Sequence, residues 1–555
     1  MTRDGTDSGP RSGVVATSIA LVLLYAVSVD CRSGQPTNQV AVATTGSVGA
    51  SAVPEAPEEY FDVAEYRVLG NTVLKPTDIE RAVYPYAGPH KTIKDVQAAR
   101  GALEEAYHAA GYGTVFVEIP EQDVGAGIVR LRATEGRLDR IRVSGIRYFS
   151  SEKILAELSV VKAGAVPKLT DLQSELAAVN AKSADRPVTP ILKAGRTPGT
   201  VDLELHVADT LPLHGGVTLN DRYTPDTTHL RSTLDLSYGN LFQDFQSVAF
   251  EYQTSPQRIA DERVLSLTYV APLWFEHNLL AVYAIDTNSN VAAVGALSLL
   301  GVGEVYGVHV IHPFDAAGAW TQNVTFGGDF KNFSQTVNSV GQRPDKTPIA
   351  YINWSLVYSL TEHAQTHDTS FNVGANFGIR GLENRTAQFD YKRYDASADY
   401  FYLKGNVDRR EALPFWGTSV DLRAGFQLSD GPLVSNEQFG VGGVDTVRGY
   451  LESIELGDYG VTASVELRGP SWTIGADPVN DHVGLYLFYD VGTASIMDPL
   501  PNQQARFDLA SFGAGVRLLA FHSLDGMLDW ADPLRSVSTV RRNHPRLEFQ
   551  VHYGF

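Results

Sequence analysis

Apolar and polar positions alternate along most of the second half of the chain. Leu234, Leu236 and Tyr238, for example, are separated by polar or small residues, and similar segments of strand length recur from residue 213 to residue 555. Such alternation predicts strands with one apolar and one polar face. Roughly sixteen segments fit this interval, and an even strand number is typical of bacterial outer-membrane barrels. The pattern therefore predicts a 16-stranded antiparallel transmembrane β-barrel in residues 211–555.

Other architectures explain this half less well. A soluble β-sandwich would alternate in the same way, but few sandwiches need so long a segment or so many strands. A helical membrane domain is excluded because no window offers about eighteen unbroken apolar residues. A closed barrel satisfies every backbone polar group in lipid. The aromatic residues near segment ends, where interfacial girdles lie, are Tyr269, Trp274, Phe275, Trp354, Phe415 and Trp416.

The first half has a different pattern, and this pattern occurs twice. Each copy begins with a strand candidate (residues 61–69 and 138–143), which is followed by a glycine, Gly70 or Gly145. Two amphipathic helices and two further strands follow in both copies. The repeat predicts two small α+β domains with the order β-α-α-β-β, at residues 60–136 and 137–210.

The N-terminal segment has the character of a targeting signal. Arg3 and Arg11 precede an apolar run from Val14 to Val29. This length suits a signal-peptide core, and we assign residues 1–31 to a targeting segment, with a membrane anchor as the alternative. Residues 32–59 are rich in small residues and proline and are predicted to be a linker. The cleavage site stays open.

Composition narrows the function classes. The formal charge of −19 provides no basic face for phosphates, so nucleic acid is not an expected partner. The single cysteine, Cys31, excludes an intrachain disulfide and multi-cysteine zinc sites. Poverty in cysteine is compatible with an oxidising compartment.

A glycine-rich stretch, residues 438–459, carries the most distinctive candidate site. At its centre lie Val447, Arg448, Gly449 and Tyr450, in a composition that predicts a loop. A strand-like segment further on contains Phe488, Asp490 and Gly492. We expect Arg448 to fold back and meet Asp490 inside the barrel, because an arginine fork and a carboxylate form short charge-assisted bonds.

Enzyme motifs are missing from the sequence. It has no Gly-x-Ser-x-Gly elbow, no P-loop and no His-Glu-x-x-His motif. His363 and His367 stand four residues apart, but the surrounding polar residues predict a turn between strands and not a metal site. We therefore expect no catalytic residues, no metal and no cofactor.

The repeat and the loop motif together resemble a known family. Gly70-Asn71-Thr72, Gly111-Tyr112 and Glu135-Gly136 resemble the pattern of a POTRA domain, and the segment from Lys193 to Leu203 resembles the second such domain of two-partner secretion transporters. This is the TpsB class, of the haemolysin secretion/activation type. Val447–Tyr450 matches its loop motif in full, and Phe488-x-Asp490-x-Gly492 matches the partner strand.

The resemblance implies an outer-membrane transporter whose POTRA domains, in the periplasm, capture an unfolded exoprotein bearing an N-terminal secretion domain. Capture would involve β-augmentation, in which the client adds a strand to a sheet edge. Candidate regions are residues 114–119, 154–176 and 190–193. The candidate client-binding residues are Val115, Val117, Ile154, Leu158, Leu172, Leu176 and Ile191. The loop motif would close the lumen at rest, with Arg448 as a latch.

Further partners follow from the same resemblance. The alternating residues Phe549, Val551, Tyr553 and Phe555 resemble the C-terminal signal by which the barrel-assembly machinery recognises outer-membrane barrels. Outer-membrane lipid is the expected surrounding, and the protein is expected to act as a monomer. Residues 32–58 show little helical periodicity, so the N-terminal plug helix common in the family is not evident. Two alternatives stay open, a barrel-assembly insertase and a passive porin.

Overall fold

The computed structural model describes residues 59–225, 227–275, 278–289, 292–294, 297–299, 302–314, 318–337, 345–475 and 481–555. The predicted targeting segment and nearly all of the predicted linker lie outside these residues. The chain divides into two units after Pro212. Among the described helices, none has the length and apolar character needed to cross a membrane.

The first repeat unit is a three-stranded sheet with two helices. Its elements are β1 (Phe61–Val63), β2 (Glu65–Leu69), α1 (Pro76–Val83), β3 (Gly88–Lys91), α2 (Ile93–Ala109), β4 (Val115–Glu118) and β5 (Ile128–Glu135). The sheet order is β2-β5-β4, with β2 parallel and β4 antiparallel to β5, and β1 pairs with β3. The predicted strand at residues 61–69 is therefore two strands, because Ala64 and Glu65 both donate their N–H to the Gly127 carbonyl.

The second repeat unit has the same topology. Its elements are β6 (Arg137–Ser144), α3 (Ser151–Ala156), α4 (Leu169–Ala181), β7 (Val188–Ala194) and β8 (Thr200–Val207). The sheet order is β6-β8-β7, with β6 parallel and β7 antiparallel to β8. In each repeat unit one edge of the sheet is therefore formed by β4 or β7, and the outer side of this strand pairs with no other strand of the sheet.

The two turn glycines occupy equivalent positions for the same physical reason. Gly70 and Gly145 adopt φ values of 84° and 85°, a region that side chains rarely enter. A Cβ on Gly70 would lie 2.3 Å from the Ala133 carbonyl oxygen, and one on Gly145 would lie 2.2 Å from that of Val207. The repeat inferred from sequence therefore rests on a shared close approach of backbone to backbone.

The part of the chain from Leu213 onward is a closed antiparallel barrel. Its wall strands are β9 (Leu213–Asn220), β10 (Arg231–Leu241), β11 (Gln246–Thr254), β12 (Arg263–Pro272), β13 (Leu279–Thr287), β16 (Gly303–Pro313), β17 (Trp320–Val337), β18 (Asp345–His363), β19 (His367–Gly378), β20 (Phe401–Ala412), β21 (Ser419–Ser429), β24 (Tyr459–Thr473), β25 (His482–Ser495), β26 (Arg506–Ala520), β27 (Leu524–Pro533) and β28 (Arg546–Gly554). β28 pairs with β9 and closes the ring. The predicted fold, two α+β domains followed by a 16-stranded barrel, is confirmed.

Loops between wall strands carry the remaining elements. These are the hairpins β14 (Ala292–Val294) with β15 (Leu297–Leu299) and β22 (Phe439–Val441) with β23 (Glu455–Gly457), and helix α5 (Thr386–Lys392). A 3-10 turn, Ser435–Glu437, precedes β22.

Alternation along the strands separates a lipid-facing surface from the lumen. On β25, Leu485, Leu487 and Tyr489 are exposed, whereas Tyr486 and Phe488 between them are buried. Apolar residues on the outside of a barrel are what lipid requires. Highly exposed aromatic residues lie in the short turns at one end of the barrel, namely Phe242, Trp274, Trp416 and Phe521.

Candidate functional site

The segment between β21 and β24, residues 430–458, folds into the lumen, and we call it the inner loop. Its two ends are tied together by the buried carboxylate of Asp458. This carboxylate accepts hydrogen bonds from Leu433 N (2.9 Å) and Gln438 Nε2 (3.0 Å) within the loop. It also accepts from Arg393 Nη2 and Met497 N, each at 2.7 Å. The root of the inner loop is therefore held in one conformation.

Arg448 of the inner loop is inserted into a buried pocket of the barrel wall. Its Nε and Nη2 donate to the two carboxylate oxygens of Asp490 at 2.8 and 2.9 Å, a bidentate pair. Nη1 donates to Glu466 Oε2 (3.0 Å) and Nη2 to Ser464 Oγ (3.2 Å). The guanidinium carbon lies 3.4 Å from the ring centroid of Phe488. Each nitrogen of the guanidinium is thus hydrogen-bonded, and one of its faces lies against an aromatic ring.

The charge of Arg448 is balanced by more than one carboxylate. Besides Asp490, Glu466 and Asp529 approach it, with Nη1 3.5 Å from Asp529 Oδ2. Arg448 is 1 % exposed. Burial acts to lower the pKa of its guanidinium, but hydrogen bonding and the negative charge of Asp490 outweigh burial and raise this pKa.

Glycines on the wall make room for the inner loop. A Cβ on Gly492 would lie 2.6 Å from Val441 Cγ1 and 2.8 Å from Val447 Cγ2. A Cβ on Gly513 of β26 would lie 2.3 Å from the Phe488 ring. The glycine in the Phe-x-Asp-x-Gly pattern is therefore required by the seat of the loop and not by the strand itself.

Gly449 and Tyr450 fix the turn that follows the arginine. Gly449 has φ of 85°, and its N–H donates to Glu548 Oε1 on β28 at 2.9 Å. The Tyr450 hydroxyl is hydrogen-bonded to the carbonyls of Ala510 (3.0 Å) and Arg535 (2.8 Å). The turn is thereby attached to β26, to β28 and to the loop after β27.

A second arginine holds the flank of the inner loop. Arg222, which follows β9, pairs with Asp445 and donates through Nε to Glu452 Oε1 at 2.9 Å. The Glu452 N–H in turn donates to the Tyr223 carbonyl at 3.2 Å. The inner loop is consequently fixed on both sides of its arginine.

The structure brings the centre of the predicted motif together, as the spacing and the resemblance implied. Arg448 meets Asp490 and Phe488, and Val447 lies against Gly492. Gly449 and Tyr450 are instead held by other parts of the barrel. Sequence reasoning missed the other wall contacts, Ser464, Glu466, Asp529 and Glu548, and the flanking Arg222. The sequence signal that could have identified these contacts is an acidic residue at an inward position of a strand, such as Glu466.

The predicted client-binding side chains require a correction. Six of the seven are buried in the cores of their own domains, namely Val115, Val117, Ile154, Leu158, Leu172 and Leu176, and only Ile191 is exposed. They are inward positions of β4, buried positions of helices α3 and α4, and Leu158, which follows α3. These six side chains are not available to a client, so their assignment is wrong. Burial of these side chains does not decide whether the main-chain groups at the strand edges can bind a client.

The free edge of β4 is covered by side chains of α2. Val117 N donates to Glu104 Oε2 at 2.9 Å, and its carbonyl accepts from Arg100 Nη1 at 3.3 Å. The Val115 carbonyl is 3.1 Å from His108 Nε2, and Val115 N donates to the Tyr112 carbonyl. The outward main-chain groups of both valines are already bonded, which protects this edge from strand addition.

The free edge of β7 is covered less completely. Val188 N and its carbonyl are both bonded to the side chain of Asn180 on α4, at 2.7 and 3.1 Å. Pro190 has no N–H and sits at an outward position, as prolines in edge strands do. Leu192 follows at the next outward position and is half-buried, next to the exposed Ile191. From Leu192 onward this edge presents main chain.

Two further predictions concern the barrel. β28 carries Phe549, Val551 and Tyr553, and Phe555 follows it directly. Val551, Tyr553 and Phe555 are exposed, and the role of this segment as an assembly signal stays a prediction. His363 and His367 flank a turn and pair with Asp368 (3.0 Å) and Glu362 (3.1 Å). Over the described ranges, no group of acidic, histidine or cysteine side chains is arranged to hold a metal ion.

Comparison with known protein families gives two matches. The model described as haemolysin secretion/activation protein ShlB/FhaC/HecB matches residues 199–518. The model of the ShlB-type POTRA domain matches residues 61–136.

Curated relatives match most of the chain or a smaller part of it. The outer membrane transporter CdiB of Dickeya dadantii (strain 3937) is 21% identical over 439 residues, which are 75% of this chain and 73% of the relative. The outer membrane transporter CdiB of Escherichia coli O6:K15:H31 (strain 536 / UPEC) is 33% identical over 101 residues, 18% of this chain and 17% of the relative.

Solved structures agree with the fold. CdiB from Escherichia coli superposes with a TM-score of 0.56 at 19% identity, over 92% of this chain and 93% of that chain. BamA from Haemophilus ducreyi lacking POTRA domains 1–3 superposes with a TM-score of 0.57 at 13% identity, over 89% of this chain and 100% of that chain. At these identities the likeness concerns the fold alone.

Proposed function

This chain belongs to the haemolysin secretion/activation family ShlB/FhaC/HecB, and from that membership we propose how it moves its partner. It is an outer-membrane transporter of the two-partner secretion type, with POTRA domains in the periplasm and a secreted exoprotein as its partner. The proposal is that the exoprotein arrives unfolded, is captured by the POTRA domains and leaves through a lumen that the inner loop closes at rest.

For capture we propose the edge of β7 in preference to that of β4. An extended client needs free main-chain donors and acceptors, and its affinity comes from those bonds. The outward groups of Val115 and Val117 are taken by α2 and by the Tyr112 carbonyl, whereas β7 from Leu192 onward is not covered in this way. The exposed Ile191 offers an apolar contact beside that edge.

For the lumen we propose that Arg448 is a latch. The observation that carries this proposal is the bidentate contact between Arg448 on the inner loop and Asp490 on the wall. One partner belongs to a loop and the other to a rigid strand, so the contact sets where the loop rests. Breaking a buried pair by removal of one partner costs about 3–5 kcal/mol, enough to control a resting position.

The details of the partners and of the working state of the transporter are proposals of the same kind. The exoprotein is proposed to carry an N-terminal secretion domain, and the barrel-assembly machinery to insert the barrel by way of β28. We also propose that the transporter works as a monomer, without a cofactor and without a catalytic step, so that client folding outside the cell draws the chain outward.

The test is secretion by an Arg448→Ala variant co-expressed with its exoprotein partner. The barrel should still insert, which heat-modifiable migration on gels reports, while export should be abolished because the inner loop no longer returns to its seat. Arg506→Ala is the control, since Arg506 is an exposed arginine on β26 that pairs with Asp508. Normal export by Arg448→Ala would refute the latch.

A further inference from the structure

The inner loop makes a further buried ionic contact, on a part of the wall away from the Arg448 pocket. Glu437, in the 3-10 turn before β22, accepts a hydrogen bond from Lys331 Nζ at 2.6 Å. Its carboxylate also accepts from the hydroxyls of Tyr351 and of Tyr402, the latter at 2.7 Å. The three donors come from β17, β18 and β20. None of these strands contributes to the Arg448 pocket, which is built from β24, β25 and β27.

The Glu437 carboxylate is enclosed by Lys331, Tyr351 and Tyr402, and we call these three side chains the cage. Glu437 is 4 % exposed, Lys331 and Tyr402 are each 6 % exposed, and Tyr351 is fully buried. A carboxylate is stable in such surroundings only when paired and hydrogen-bonded. Here one ammonium and two hydroxyls satisfy its two oxygens. The three donors all lie on the wall, and the acceptor lies on the loop.

The main chain at Glu437 is fixed as well. Gln427 Nε2 on β21 donates to the Glu437 carbonyl at 2.9 Å and lies 3.3 Å from the Asp458 carbonyl. The inner loop therefore leaves the wall at a fixed root and is held at Glu437. It then runs to the separate seat of Arg448. Glu437 and Arg448 thus hold the inner loop at two different stretches of wall, in addition to the contacts that Arg222 and Arg393 make with it.

A second inward-folded loop, residues 379–400, covers the cage. Phe389 of α5 packs edge-on against Tyr351, with ring centroids 5.3 Å apart. Tyr400 stacks on Tyr402 at 6.1 Å and donates its hydroxyl to Asn353 Oδ1 at 3.0 Å. Leu433 and Val434 of the inner loop belong to the same buried apolar cluster. Release of Glu437 would therefore disturb a second loop as well as the first.

We propose that Glu437 is a second latch of the inner loop, independent of Arg448, and that Lys331, Tyr351 and Tyr402 form its receptor on the wall. Glu437 is a positioning residue, because it acts on transport through the placement of the loop. The proposal rests on the closing function proposed for the inner loop. It predicts that the lumen opens fully only when both contacts are released.

The test is single-channel conductance of the full-length protein in planar bilayers, with Glu437→Gln as the variant. Glutamine keeps the size of the side chain but leaves the Lys331 ammonium buried without its counter-charge, so the open probability should rise about tenfold or more. Glu304→Gln is the matched control, because Glu304 accepts from the Tyr306 hydroxyl on the exposed face of β16 at 3.2 Å. Tyr402→Phe, which changes no charge, should give a smaller rise and serves if Glu437→Gln fails to fold.

Comparison with Arg448→Ala separates the two proposals. If both variants raise the open probability and the double variant exceeds either one, two independent latches are supported. If Arg448→Ala opens the channel while Glu437→Gln and Tyr402→Phe match Glu304→Gln, the second latch is refuted and the first stands. If none of them opens the channel, the closing function of the inner loop is itself refuted.

Discussion

Substitution of Gly492 by alanine should unseat the inner loop without harming the strand that carries it. Gly492 lies on the lumen face of β25, and its φ is not positive, so alanine fits its backbone conformation. The added methyl group would point at the loop. It would lie 2.6 Å from Val441 Cγ1 and 2.8 Å from Val447 Cγ2, far inside normal carbon–carbon contact at about 3.5–4.0 Å.

The magnitude follows from the need to move packed groups. Both valines are fully buried, so neither can turn aside into free space. Insertion of a methyl group into a well-packed site costs about 1–3 kcal/mol. Because the strand tolerates alanine, this cost falls on the seated loop, and the ratio of seated to unseated loop should drop about 5- to 150-fold.

The assay is single-channel recording, with Gly484→Ala as the control. Gly484 lies on the same face of the same strand, and a Cβ there would meet nothing within 4 Å. Both variants should insert and show heat-modifiable migration like the parent protein. Gly492→Ala alone should show frequent openings, and export of the exoprotein should fall with it.

An identical closed fraction in the two glycine variants would refute this reasoning. It would mean that the loop does not rest where Val441 and Val447 place it, or that its rest position does not govern conductance. Chemical cross-linking between the loop and β25 would then separate these two explanations.

Two smaller changes test other contacts of the transporter. Tyr450→Phe removes the hydroxyl that is hydrogen-bonded to the carbonyls of Ala510 and Arg535. Loss of these bonds should cost about 1–2 kcal/mol, so amide hydrogen exchange at residues 444–452 should accelerate about tenfold. Unchanged exchange would exclude a role of this hydroxyl in holding the turn. Leu192→Pro removes an outward N–H of β7 and should reduce exoprotein capture severalfold in pull-down assays. Leu192→Val, which keeps the N–H, is the control. Equal capture by both variants would refute the edge of β7 as the capture site.

Much of the architecture could be predicted from local patterns. Alternation specifies which residues share a face, so the strand segments, their even number and the inward position of Asp490 were accessible from sequence. Gly70 and Gly145 marked the repeat because each meets a carbonyl that leaves no space for a Cβ. Such requirements act over a few residues and leave a visible trace.

Contacts between distant strands could not be predicted in this way. Glu466, Asp529 and Glu548 meet the inner loop because of the register and tilt of the closed barrel, which no single strand encodes. The candidate client-binding residues failed for another reason. The pattern offers apolar positions such as Val115 and Leu172 as contact points, but the apolar face of each element is the one that packs on its own domain.

The pairing of β28 with β9 sets a limit on how this molecule can be made. Thr218 Oγ1 and His552 Nδ1 lie 2.9 Å apart although 334 positions separate them along the chain. A contact of such high sequence separation forms late, because the loop-closure entropy is lost before any stabilisation is gained. Until then two unpaired strand edges stand open, each a template for aggregation. Substitutions at this seam should therefore slow biogenesis and raise misassembly before they alter any property of the finished transporter.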